Sequence, residues 1–92
     1  MAYHVEIEPR ARRQIAALPR EVQRRITNAL AQLEEQPRPP GAKRLTGHDC
    51  TYRIRVGTYR VLYEIADHVR VILVIEVAHR REVYDRLRRR RR

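Results

Sequence analysis

Three arginines in one short stretch have the types and spacing to do chemistry. In Thr51–Glu64, TYRIRVGTYRVLYE, Arg53, Arg55 and Arg60 flank the dipeptide Gly57-Thr58. A guanidinium group stays charged and grips phosphate oxygens through paired N–H donors. Gly57-Thr58 reads as a hairpin turn of type II′, whose first central residue needs a positive φ. The turn fixes the cross-strand pairs as Val56–Tyr59, Arg55–Arg60, Ile54–Val61, Arg53–Leu62 and Tyr52–Tyr63. Side chains alternate along a strand, so Tyr52, Ile54, Val56, Tyr59, Val61 and Tyr63 form a core face, and Arg53, Arg55 and Arg60 lie on the other. Like charges directly opposite one another, as Arg55 and Arg60 are, cost a few tenths to roughly 1 kcal/mol. A bound polyanion relieves that repulsion. The plainer explanation, open on the hairpin alone, is a solvated face with arginine stems lying over apolar neighbours.

The elements that position these residues belong to a chain of 92 amino acids, the length of one small domain. We place the domain at 1–87 and a separate Arg-rich tail, expected to be disordered, at 88–92. The formal net charge is +10, and all but one of the 21 Lys and Arg residues are Arg, the exception being Lys43. Such a charge points to a polyanionic partner, most often nucleic acid. Half of the excess comes from the tail Arg88–Arg92, so the body is less basic than the total. Cys50 is the only cysteine, which leaves no internal disulfide and suits a reducing, cytoplasmic setting. No signal peptide is read at the N-terminus, and the longest apolar run, Val71–Ile75, is far short of a membrane span. The scattered His4, His48 and His68 have no metal-site spacing, and no Gly-rich phosphate loop is present.

Tyr3–Glu8 alternates and predicts a first strand, and Pro9 suits the first turn of a helix over Arg10–Leu18. Pro19 separates this helix from a second, Arg20–Glu35, whose stripe is Val22, Ile26, Ala29, Leu30 and Leu33. The segment Gln36–Gly41, QPRPPG, connects back to a short edge strand at Lys43-Arg44-Leu45. After the hairpin, Ala66-Asp67-His68 predicts a turn, and Val69–Val77 a central strand covered on both sides. A three-residue turn would set Glu64 opposite Arg70 and aim Glu76 at the basic face. A short helix, Arg81–Leu87, follows. Strands joined by tight turns are antiparallel. The expected fold class is therefore α+β: a small antiparallel sheet, an N-terminal helical hairpin on one face and a short C-terminal helix.

YRIRVGTYRVLYEI, a hydrophobic strand and then HRREVY together resemble the RelE branch of the RelE/ParE toxins of type II toxin–antitoxin systems. The resemblance runs from the first strand through Tyr84. It implies the same fold and a ribosome-dependent mRNA endonuclease; the alternative is a ParE-like inhibitor of DNA gyrase that is not a nuclease. It implies as partners a cognate antitoxin, the ribosome and mRNA, with no membrane and no small-molecule cofactor. Carried over by position, the site would comprise Arg53, Arg55, Arg60, Arg80 and Tyr84. Two residues are missing between Arg80 and Tyr84, and arginines stand at 53 and 55 where the best-known member has lysines. Metal-independent cleavage by 2′-OH attack needs cations on the phosphorane, each worth about 10²–10³ in rate, and groups that move protons. Guanidinium is a poor base, so His79 and Tyr84 are the candidates for proton transfer, with Glu76 and Glu64 behind them. Because His79 and Arg80 alternate on an extended strand, only one should face the site. Lys43, Arg44 and Arg81 are expected to add RNA contacts.

Overall fold

The computed structural model describes residues 2–79. The expected helix Arg81–Leu87 and the tail Arg88–Arg92 lie outside the described residues. The elements run β1 (His4–Ile7), α1 (Pro9–Ala16), α2 (Arg20–Glu35), β2 (Lys43–Arg44), β3 (Thr51–Val56), β4 (Tyr59–Ala66) and β5 (Val71–His79). The strands form one sheet in the order β1-β5-β4-β3-β2. The β3–β4 hairpin has the expected register, with Arg55 opposite Arg60 and Arg53 opposite Leu62. Gly57 takes φ +63°, and Thr58 does not share that sign, as a type II′ turn requires. The pairs β2–β3, β3–β4 and β4–β5 are antiparallel. The first strand, which no tight turn ties to a neighbour, pairs instead in parallel with β5, from His4 opposite Val71 to Ile7 opposite Val74.

Pro9 opens α1 where its missing N–H costs nothing. Pro19 stands at the N-cap of α2. Gln23 of α2 bridges the two helices by donating from Nε2 to the carbonyls of Ala16 (3.2 Å) and Leu18 (2.8 Å), which the end of α1 leaves open. The helical hairpin covers one face of the sheet as expected. Ala11, Ile26, Leu30 and Leu33 pack there with Ile54, Val56, Val61, Tyr63, Ile65, Ile72, Val74 and Val77. The opposite face holds a smaller apolar cluster of Leu62, Ile75 and Ala78, with Leu45 and Leu73 against it.

The register of β5 departs from expectation. Ala66 pairs with Val71, so the turn is the four residues Asp67 to Arg70, and Arg70 has φ +55°. Glu64 consequently faces Leu73, not Arg70. Further along, Leu62 pairs with Glu76 but Tyr63 pairs with Val74, so Ile75 is an inserted bulge residue. The bulge lets Val74 and Val77 share the helix side although three positions separate them. Beyond Ile7, the edge of β5 has lost β1 as its neighbour. Gln14 of α1 takes over that role: its Oε1 accepts from the Val77 N–H at 2.8 Å. Its Nε2 donates to the buried Glu76 carboxylate at 3.4 Å, and Arg10 Nε lies 3.8 Å from the same carboxylate.

A polar clasp holds the Pro-rich connector that delivers β2. Arg38 meets Asp67 through both terminal nitrogens, at 2.8 and 3.4 Å, and its Nε donates to Tyr52 Oη at 3.0 Å. Tyr3 Oη donates to Asp67 at 2.6 Å, and buried Tyr63 donates to the Pro37 carbonyl at 2.8 Å. The Arg38 and Tyr3 hydrogen bonds hold the Asp67 carboxyl below its ordinary pKa, and the bond to Asp67 raises that of Tyr3. Burial, with a contribution from Tyr52, pushes Tyr63 up to about 12.

Candidate nucleic-acid interface

Arginines 53, 55 and 60 do share the sheet face turned away from the helices. They fall into two adjacent cross-strand rows. In one, Lys43 of β2 lies opposite Arg53 of β3, and Arg53 opposite Leu62 of β4. In the other, Arg55 of β3 lies opposite Arg60 of β4, and Arg60 opposite Ala78 of β5. Four cations therefore occupy neighbouring positions on one face. Arg55 and Lys43 are exposed, whereas Arg53 and Arg60 retain only 7% and 8% of their surface.

That burial changes the chemistry. The Nε atoms of Arg53 and Arg60 are buried and have no hydrogen-bond partner among the described residues. An unsatisfied buried donor costs about 1–3 kcal/mol, and more when it is charged. The floor of the face is apolar, since Leu62, Ile75 and Ala78 lie within it. In such low-dielectric surroundings charge–charge attraction is strong.

Strand alternation separates the other expected residues. Lys43 joins the arginines, but Arg44 pairs with Tyr52, so it belongs to the helix side of the sheet. His79 pairs with Tyr59, whose other partner is the core residue Val56. The His79 and Tyr59 rings meet edge-on at 6.1 Å. His79 is thus not brought to the arginine face, which corrects the expectation that it serves the site as a proton carrier. Arg80, Arg81 and Tyr84 lie outside the described residues. The apolar floor escaped the sequence reading of this face. Its signal was present in β5, whose run is apolar at consecutive positions, but the bulge at Ile75 hides which residues share a side. Among the described residues no cluster of His, Cys, Asp and Glu could hold a metal ion, and no helix is long and apolar enough to cross a membrane.

Comparison with known proteins gives this geometry a context. The family model for the ParE toxin of type II toxin-antitoxin system, parDE, matches residues 5–84. Toxin RelG of Mycobacterium tuberculosis is 32% identical over 90 residues, spanning 94% of this chain and all of that protein. An arginine-to-alanine double mutant of E. coli toxin RelE in the free state superposes with TM-score 0.79 at 30% identity, covering 92% of this chain and 93% of that one. The archaeal RelE of the RelE–RelB complex from Pyrococcus horikoshii is similar at TM-score 0.79 and 29% identity, covering 87% and 97% respectively. The match along nearly the whole chain, together with the shared fold, makes this protein a member of the RelE/ParE family of toxins of type II toxin–antitoxin systems.

Proposed function

We propose that the chain is a ribosome-dependent mRNA endonuclease whose arginine face binds the scissile phosphate. The observation that carries this reading is the pair of nearly buried arginines, Arg53 and Arg60, whose Nε donors have no acceptor among the described residues. The ribose 2′-hydroxyl gives its proton to solvent as its oxygen attacks the adjacent phosphorus, and the bond to the 5′-oxygen breaks, leaving a 2′,3′-cyclic phosphate and a 5′-hydroxyl. Arg55 and Arg60 donate to the non-bridging oxygens as negative charge builds on them. Arg53 and Lys43 hold the flanking backbone. Arg80 adds a further cation, and Tyr84 stacks on a base or delivers a proton to the leaving oxygen. Guanidinium is a poor base, and the ribosome compensates by holding the mRNA in line for attack.

The partner that silences the toxin is a cognate antitoxin, as in the RelE–RelB complexes of the solved relatives. Addition of purified protein to an in vitro translation reaction tests the proposal. Cleavage of mRNA within translated sequence is expected, and its loss in Arg60→Ala and Tyr84→Ala; Tyr84→Phe retains activity if Tyr84 stacks and loses it if the hydroxyl delivers the proton. Intact mRNA on working ribosomes would overturn it. The ParE description of the family model favours a second reading, inhibition of DNA gyrase. Loss of supercoiling activity with mRNA left whole would establish that reading in its place.

A further inference from the structure

The outer edge of β3 borders a cavity of about 450 Å³, within the roughly 300–1,000 Å³ of ligand pockets. It opens between the second half of α2, the Pro-rich connector and the strand. Leu33, Ile54, Pro39 and Pro40 give it apolar walls. Its polar lining is Gln32 with Lys43, Arg53 and Arg55, and no acid among the described residues lines it.

The backbone of β3 adds a donor and an acceptor there. The Thr51 carbonyl accepts from Leu45, on the β2 side, at 2.9 Å, whereas the Cys50 carbonyl accepts from Ile65, on the β4 side, at 3.0 Å. Backbone groups alternate along a strand, so Thr51, Arg53 and Arg55 turn theirs towards β2. Strand β2 reaches only as far as Lys43, opposite Arg53. The chain before it curls away. Ala42 donates to the Pro39 carbonyl at 3.0 Å, and Gly41 takes φ +94° with nothing within 4 Å of where a Cβ would stand. The Arg55 N–H and C=O therefore face the cavity with no backbone partner among the described residues. Backbone groups bond to water or a ligand when no chain supplies a partner.

That couple selects the occupant. Gly57 already belongs to the turn, so Arg55 is the one open rung between the partner of Lys43 and the hairpin tip. An added peptide strand draws its affinity from a run of main-chain bonds, and one rung offers no run. An unstacked nucleobase presents donors and acceptors side by side on one edge, and its flat faces suit apolar walls. We propose that the cavity is a nucleobase slot. The Arg55 N–H and C=O and the Gln32 side-chain amide read the edge of a base splayed out of the mRNA, while the Lys43 and Arg55 side chains hold its phosphate. This rests on the reading of the sheet face as an RNA phosphate site. Gln32 is then a specificity residue, and cutting depends on which base turns round the β3 edge.

Amide NMR of the nitrogen-15-labelled full chain, titrated with the four common ribonucleoside 5′-monophosphates and with ribose 5-phosphate, tests it. At least one nucleotide is expected to shift the Arg55 backbone amide and the Gln32 side-chain amide, which ribose 5-phosphate leaves in place. Gln32→Ala, at an exposed position, should weaken that nucleotide by about three- to tenfold, the worth of one hydrogen bond. Ala29→Leu, which fills the slot from the helix, should remove the nucleotide shifts and keep those that ribose 5-phosphate causes at the arginine side chains. Ribose 5-phosphate moving the same amides as the nucleotides would overturn the proposal, as would nucleotide shifts that persist in both variants. So would a polyglutamate peptide that moves the Arg55 amide more than any nucleotide does, since the edge would then dock a protein. In translation reactions Gln32→Ala should redistribute the cuts among codons. If the wild type leaves mRNA intact while the nucleotide shifts remain, the nuclease reading fails and the slot stands. If wild type and both variants cut mRNA at the same positions, the slot fails and the nuclease reading stands.

Discussion

Arg60 occupies a place where a charged side chain is poorly accommodated, which sets stability against activity at one residue. It is almost fully buried, lies opposite Arg55 on one strand and Ala78 on the other, and its Nε has no acceptor among the described residues. Replacing such a group by an apolar side chain of similar length removes a desolvation cost without opening a cavity. Arg60→Met is therefore expected to stabilise the fold by about 1 kcal/mol, a rise of roughly 4–8 °C in thermal midpoint for a domain of this size. The same change should lower mRNA cleavage by about 10²–10³. Thermal denaturation and a cleavage time course on one preparation measure both. A midpoint that falls would show that the guanidinium is satisfied and would remove its reason to seek phosphate. Exposed Arg55 provides the control: Arg55→Ala should reduce cleavage with no loss of stability. The grouping of Arg53, Arg55 and Arg60 was legible in the sequence because a two-residue turn and period-two alternation fix it. Their burial was not, because exposure depends on packing beyond the hairpin, which turn type and alternation do not fix.

At the scale of elements, legibility followed how local the determining interaction is. The bounds of α2 follow from Pro19 before it and the Pro-rich connector after it, and the β3–β4 register from Gly57. The register of β5 failed at the four-residue turn and again at the Ile75 bulge, since neither has a local sequence signature. His79 and Arg44 were candidates by residue type, and strand alternation puts both on the helix side of the sheet. Nothing in the sequence of α1 announces that Gln14 replaces a missing strand. That role makes a prediction: Gln14→Ala leaves the Val77 N–H without its acceptor and takes a donor from Glu76, so it should cost about 1–3 kcal/mol by denaturant titration. The clasp on the connector predicts two pH limits. Tyr63 is pushed up to about 12 in the fold against about 10 when unfolded. A raised folded pKa means stability that is whole below about 10 and lost as pH rises towards about 12. Asp67 is depressed in the fold, so its contribution holds above the unfolded carboxyl range and disappears as pH falls through the folded value. Arg38→Ala, which breaks the bonds to Asp67 and Tyr52, should leave the acid limb less steep.

Across the whole molecule, charge is sorted along the sheet. Arg55 and Arg60 flank the hairpin tip, where Arg25 overlies Gly57, and Arg20 and Arg24 lie on the same first turns of α2 as Arg25. Glu34 lies at the far end, where its carbonyl accepts from the Tyr3 N–H, and Asp67 receives the Tyr3 hydroxyl there. Glu6 and Glu64 flank Leu73 towards that end. Among the described residues, Arg38 at the far end is paired with Asp67 whereas Arg55 and Arg25 at the tip form no ion pair, so the field of the described residues favours a polyanion at the tip. The same crowding opposes folding. Repulsion among exposed groups is screened within about 8 Å at physiological salt but reaches about 30 Å at 0.01 M. Raising salt from about 0.01 to 0.15 M should therefore raise the thermal midpoint while weakening RNA binding, opposite signs from one cause. The Arg55→Ala variant should show a smaller response in both, because Arg55 both repels Arg60 and holds phosphate. Calorimetry and anisotropy over the same salt series measure the two slopes. If the variant kept the wild-type salt dependence of its midpoint but lost that of RNA binding, Arg55 would carry the binding without the strain, and its place opposite Arg60 would cost the fold nothing.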